Sequence, residues 1–439
     1  MNSDLRGKKL LILGGNSETI PLVEVANSMG IETMVTSSIP GDPAKKAASK
    51  AFDVDGVDVP GLIALVKNEK IDGVLVGVAD SLVESYCKVC EAFDFPCYAT
   101  EDIVRVFTQK DVFKSVCEKY GVHGIPEYYL DENMRREDLD RIVYPVMVKP
   151  VDGRSGVGIT ACYDESHLKD AVAEALKHSR SKRFIVEKYM ECDDMGMYYT
   201  FKDGECSASC IYDRYTTDEQ KGVSRVCLGG TYPSKHIKEY FVRMNENVCR
   251  MFKDTGIKNG VLMLSGFFEN GEFYVYDTGF RLQGEAPHLF MKKIHGFDQR
   301  EMLIRFALTG SEGDIDLKKE DDAYFRGNWA ATLWFLLKEG KIGKIKGLEN
   351  IEQDERVIAN LQRLHEGDEV LHSWIGTEKQ VLARLYIVSK TKQELGDALT
   401  EYMEKVSVFD TDGNEMLLHG FNVKKALELE EYEEKKTGR

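Results

Sequence analysis

The segment Pro145-Val-Met-Val-Lys-Pro-Val-Asp-Gly-Arg-Ser-Gly-Val-Gly-Ile159 constrains this chain more than any other stretch. An apolar β run delivers one lysine, Lys149, into a loop with glycines at Gly153, Gly156 and Gly158. Glycines let backbone N–H groups converge on a polyanion with no side chain in the way, and a nearby lysine adds a point charge. The pattern suits the phosphates of a nucleotide. It is not a P-loop, because the lysine precedes the glycines on a strand and no helix-opening Gly-Lys-Ser/Thr follows. Taken alone, the same residues also fit an ordinary hairpin turn.

Two later segments narrow the choice. Arg183-Phe-Ile-Val-Glu-Lys-Tyr-Met190 reads as a buried strand ending in a Glu-Lys-Tyr-Met connection. Residues 266–285 read as a hairpin around Asn270-Gly271, and its second strand carries Asp277, followed by Arg281, Gln283 and Glu285. In this order the three segments resemble the ATP-grasp superfamily, in particular its biotin-carboxylase, carbamoyl-phosphate-synthetase and amino-acid-ligase branches. The resemblance implies an α/β chain with α+β central lobes. A Rossmann-like domain precedes the ATP-grasp core over 1–104, and the two-lobed core itself covers 105–325, with a small lobe to 183 and a large lobe from 184. A small, mainly β C-terminal cap spans 326–425, and 426–439 form a charged tail.

The alternation of apolar strands and helices supports the first of these divisions independently. Lys9–Leu13, a helix over 19–29, Glu32–Thr36 and Gly73–Gly77 form the pattern of a parallel, doubly wound sheet. Gly14-Gly15 lacks the third glycine of a dinucleotide fingerprint, and Glu32 matches the acidic partner weakly. Next, Thr108 to Tyr120 reads as one helix capped by Thr108, with Asp111 completing a near capping box.

The resemblance also assigns roles. Lys110 and Lys149 would reach the nucleotide phosphates, under a loop containing Gly153, Arg154, Ser155, Gly156 and Gly158. Glu187, Lys188, Tyr189 and Met190 would hold adenine, largely through backbone groups, with Asp194 or Glu191 near the ribose. Arg281, Gln283 and Glu285 stand at alternate positions, as in biotin carboxylase, and would form the catalytic set, with Arg281 steadying an acyl-phosphate. Arg214, Arg225 and His288 are candidates for substrate contact. A mobile surface loop over 213–227 and a packed His288 fit those residues equally well.

The metal site departs from the family pattern. Magnesium bridging phosphates prefers hard oxygen ligands. Asp277 replaces the expected glutamate, Gly279 replaces an asparagine, and Ser265 or Gly266 falls where the first acid belongs. Asp277 is thus the clear ligand, with Ser265 as its candidate companion. Glu269 and Glu272 flank the hairpin turn and read as solvated.

Composition excludes several classes. With 439 residues, 43% of them hydrophobic and 30% charged, the chain is globular and long enough for several units. A net charge of −16 opposes binding to a nucleic-acid backbone. No apolar run approaches the length of about 18 residues that spans a bilayer. Ten cysteines without an export signal lead to an expectation of free thiols in the cytoplasm. Cys87-Lys-Val-Cys90 has no partner pair and reads as the buried face of an amphipathic helix. The expected protein is therefore an ATP-dependent carboxylate–amine ligase using magnesium or manganese and small-molecule acid and amine substrates. The cap is a candidate homodimer face. A non-catalytic nucleotide sensor and a bicarbonate-activating carboxylase remain as alternatives.

Overall fold

A computed structural model describes residues 5–151, 158–218, 223 and 225–429. Its contacts divide the chain into two compact units, Met1–Cys210 with His236–Asp322, and Ile211–Lys235 with Ala323–Arg439.

The first unit opens with strands β1 (Lys9–Leu13), β2 (Glu32–Thr36), β3 (Lys50–Phe52) and β4 (Gly73–Val76), paired in parallel in the order β3-β2-β1-β4. Leu10 to Leu13 are fully buried, as expected of a strand covered on both faces. The first crossover is a short 3-10 turn, Ser17–Thr19, leading into helix Ile20–Ser28. Helix Val83–Phe93 buries Cys87 and Cys90 as free thiols within its packed face.

The helix expected from Thr108 begins instead at Lys110, as Lys110–Lys119, and Thr108 ends a separate helix, Glu101–Thr108. Thr108 does not cap the later helix. Its hydroxyl donates back to the Val104 carbonyl at 2.7 Å, closing the preceding helix, while Gln109 breaks the path with extended backbone.

A second sheet in this unit contains β5 (Glu127–Tyr128), β6 (Val146–Pro150), β7 (Thr160–Cys162) and β8 (Phe184–Lys188), antiparallel in the order β5-β8-β6-β7. Helix Leu168–His178 packs its buried residues Leu168, Ala171, Val172 and Ala175 into one core with Val146, Val148 and Val186. The longer strands β9 (Asp193–Lys202), Gly260–Glu269 and Glu272–Gly279 pair antiparallel. Asn270 and Gly271 at the tip of the hairpin both have positive φ, the conformation that an Asn-Gly turn selects.

The second unit is built on the antiparallel strands Cys227–Tyr232, Trp329–Leu337, Val381–Ser389 and Val357–Gln362. Helix Lys392–Lys405 is closed at its start by a full capping box between Thr391 and Glu394. Its buried Leu395, Ala398 and Leu399 join the core formed with Leu333, Leu336, Leu385 and Ile387. Among the described residues, no helix is long and apolar enough to cross a membrane.

Candidate active site

Strand alternation fixes where Lys149 points. Val146 and Val148 turn into the helix-covered core, which leaves Met147 and Lys149 on the opposite face of β6. The register sets Met147 against Glu187 and Lys149 against Ile185, so Lys149 and Glu187 are diagonal neighbours on that face. Their side chains form an ion pair at 2.5 Å, with 12% and 8% of their surface exposed. A lysine so enclosed does not project into bulk solvent.

The connection after Glu187 is already committed along its backbone. Lys188 N–H donates to the Pro126 carbonyl at 2.9 Å and Tyr189 N–H to Pro145 at 3.1 Å. Tyr189 and Met190 are buried. The Lys188 ammonium pairs with Glu269, which raises the lysine's pKa through that hydrogen bond. Glu269 is thus not the solvated turn residue its position in sequence suggested: a lysine from a distant strand reaches it. Glu272, by contrast, is half exposed and pairs with Arg243 at 3.2 Å.

Asp277 and Ser265 face each other across the hairpin. The register slips between Ser265 and Gly266, so Tyr276 is an extra residue on the second strand. Bulges of this kind re-aim a side chain beside a site. Gly266 permits the bulge, since a Cβ there would lie 2.7 Å from the Tyr274 carbonyl oxygen. Ser265 is buried, whereas Asp277 is open to solvent. Even so, crowding protein desolvates Asp277 and pushes its pKa up. Both conditions hold together for a carboxylate lining a cleft. Lys110 is the strongest opposing charge, Asp80 adds to the upward shift, and the Thr278 N–H and Lys149 lower it. The two lysines expected at a phosphate group therefore both act on Asp277. Asp194 accepts a hydrogen bond from the Tyr276 hydroxyl at 3.3 Å, and Glu191 is exposed.

Residues 281–285 form a loop, with a turn at Gly284-Glu285. Arg281 Nη1 donates to the Leu282 carbonyl and to Gln283 Oε1, each at 2.8 Å. Its Nη2 donates to Asp80 Oδ2 at 2.5 Å. The Gln283 amide donates to the Gly279 carbonyl at 3.0 Å and that of Arg281 at 3.2 Å. The buried Gln283 side chain is therefore engaged in shaping the loop around Arg281. Glu285 is half-buried, close enough to Cys210 that its charge adds to burial and Asp321 in raising that thiol's pKa.

His288 is an interior residue with no hydrogen-bond partner for either ring nitrogen among the described residues. Burial, helped by the Arg300 charge, pushes its pKa down to about 3, so the ring is neutral. Arg214 and Arg225 belong to the second unit. Arg214 lies on strand Glu205–Thr216 and donates to the Tyr212 hydroxyl at 2.7 Å, while Arg225 is exposed. Gly153, Arg154, Ser155 and Gly156 lie outside the described residues, and Gly158 has positive φ.

Asp80 is the functional candidate that sequence reasoning missed. It starts the 3-10 turn after β4, at the carboxyl end of a parallel strand, where open α/β sheets place ligands. That position was its only readable signal.

No group of three or more His, Cys, Asp or Glu side chains among the described residues is arranged to hold a metal ion. A magnesium ion needs fewer protein ligands than that, because phosphate oxygens and water complete its shell around one or two carboxylates. Asp277, reachable by solvent and within electrostatic reach of Lys110 and Lys149, fits an ion delivered with a nucleotide.

Comparison with known proteins places these residues in context. A family described as D-ala D-ala ligase C-terminus matches residues 126–213, which include β6, β8 and the Glu187–Met190 connection. The formate-dependent phosphoribosylglycinamide formyltransferase of Sulfurisphaera tokodaii is 29% identical over 197 residues, 42% of this chain and 48% of the relative. The chain thus spans about half the length of the first such relatives it matches. The phosphoribosylamine–glycine ligase of Lactococcus lactis subsp. lactis is 22% identical over 422 residues, 92% of this chain and 97% of that one. Among solved structures, the L-amino acid ligase from Bacillus licheniformis superposes with a TM-score of 0.75 at 17% identity, covering 92% of this chain and 99% of that chain.

Proposed function

We propose that this chain, whose fold is that of the ATP-grasp superfamily, is an ATP-dependent carboxylate–amine ligase. The observation that carries the reading is that Lys149, paired with Glu187 on an enclosed strand face, and Lys110 both act electrostatically on Asp277.

In this reading ATP lies along the face shared by β6 and β8. Lys149 and Lys110 neutralise charge on the phosphoryl group as it transfers to a substrate carboxylate oxygen. Magnesium held at Asp277 with the phosphates would supply further neutralisation. With the Lys188 and Tyr189 N–H groups committed internally, Met190 N–H, which has no backbone partner among the described residues, is the proposed donor to adenine. Arg281 grips the activated carboxylate through its planar fork. The amine nitrogen then forms the C–N bond as the C–O bond to phosphate breaks, and Glu285 accepts the proton lost from nitrogen. ADP and orthophosphate leave.

The domain reading accompanies this assignment: a Rossmann-like domain over 1–104, the core over 105–325 and the cap over 326–425. The substrates are small molecules, the location cytoplasmic, and the cap a homodimer face. Arg214 and Arg225 are proposed as further substrate contacts.

The thinned metal site favours a second reading, a nucleotide-binding protein without turnover. One assay separates the two. Nucleotide products are followed with ATP, magnesium or manganese, and pooled amino acids, formate or bicarbonate. The ligase reading predicts ADP and phosphate only when a carboxylate is present. Binding of ATP with no product under any acceptor overturns it, and release of AMP and pyrophosphate contradicts the mechanism.

A further inference from the structure

Among the described residues, Arg281 makes one hydrogen bond that its own loop does not supply. Leu282 and Gln283 are its immediate neighbours and move with it, whereas Asp80 lies 201 positions away, after β4. We propose that Asp80 is a positioning residue that orients the Arg281 guanidinium, and that Gly279 provides the space admitting it. What Arg281 grips rests on the ligase reading; the clamp itself does not.

A guanidinium has five N–H donors in a rigid plane. Here Nη1 is engaged twice by the loop, and Nη2 once by Asp80 at 2.5 Å. Nε is buried and has no hydrogen-bond partner among the described residues. One Nη2–H is therefore left to an oxyanion, and guanidinium N–H donors match carboxylate and phosphate oxygens. Asp80 occupies one corner of the plane and so fixes the direction in which the remaining donor points. Arg281 is only 13% exposed, so a misdirected fork has little room to recover.

The backbone around the pair is built to the same end. A Cβ at position 279 would come within 3.0 Å of Asp80 Oδ1 and 2.7 Å of Gln283 Nε2. At Gly284 a Cβ would meet Glu18 Cγ at 3.2 Å and Val78 Cγ1 at 3.5 Å. The arginine loop is therefore seated against the segments that leave β1 and β4. Asp80 itself is half open to water, and an ion pair of that kind adds little to global stability. Its removal should leave a folded protein with a misaimed arginine.

The full chain is compared with D80N, D80E and G279A in two assays. Backbone deuterium uptake of residues 279–285, read by mass spectrometry without substrate, reports the tether. ADP release with pooled carboxylates, measured over a range of ATP concentrations up to saturation, reports the chemistry. D80N is expected to raise uptake in that segment and to lower kcat about tenfold or more, with KM for ATP unchanged. D80E should recover most of both. G279A should reproduce the D80N behaviour with every charge retained. Unchanged uptake and kcat in D80N, or a D80E no better than D80N, overturns the proposal. So does a rise in KM for ATP matching the fall in kcat. If the unaltered protein releases no ADP with any carboxylate, the ligase reading fails, and the uptake comparison still decides the clamp.

Discussion

Lys149 and Glu187 illustrate how one ion pair serves both architecture and chemistry. Each charge is enclosed, so each depends on the other and on what binds beside them. Replacing Lys149 by Met should weaken binding of a non-hydrolysable ATP analogue roughly tenfold to a hundredfold, read by calorimetric titration. The same change leaves Glu187 buried without its cation and should cost about 3 kcal/mol in a denaturant series. Asp277 predicts the opposite combination. Desolvation raises its pKa, so its contribution to stability is present at low pH and lost as pH rises through the raised value. At neutral pH the metal-free protein carries that strain. Asp277→Asn should therefore raise its Tm while lowering ADP formation about a hundredfold or more, measured on the same preparation.

At the scale of elements, legibility followed sequence distance. The strand around Val146 to Val148 and the Asn270-Gly271 hairpin follow from local periodicity and turn chemistry. The order of Lys149, Glu187 and Asp277 carries the resemblance to the ATP-grasp superfamily. What escaped were contacts joining remote segments: Asp80 with Arg281, and Lys188 with Glu269. Neither partner carries a local mark of the other. Thr108 was misread for a related reason, since a threonine after one helical turn and before another can bond in either direction, and it bonded backward. Where the local signal is complete it has measurable weight. Thr391→Ala removes one half of the capping box on helix Lys392–Lys405 and should cost about 1 kcal/mol in equilibrium unfolding. Glu312 gives a pH-dependent counterpart. It is buried, its carboxylate oxygens have no hydrogen-bond partner among the described residues, and burial pushes its pKa from 4.5 up to about 7. The stability it allows is present below the lower value and lost as pH passes the higher one. Glu312→Gln should thus match the parent at about pH 4 and exceed it by about 2 kcal/mol at about pH 8.

For the whole molecule, the proposal is that the first unit brings the cations, Asp277 and Arg281 to a phosphorylated carboxylate. The acidic chain, with its net charge of −16, attracts a nucleotide only through such a local cluster. The most direct test follows the oxygen. With ATP and a carboxylate pool labelled with heavy oxygen, transfer through an acyl-phosphate must deliver labelled oxygen from the acid into orthophosphate as the amide forms. The account predicts that label in the phosphate released, in proportion to ADP. Unlabelled phosphate accompanying amide formation, or label appearing in AMP, would contradict it.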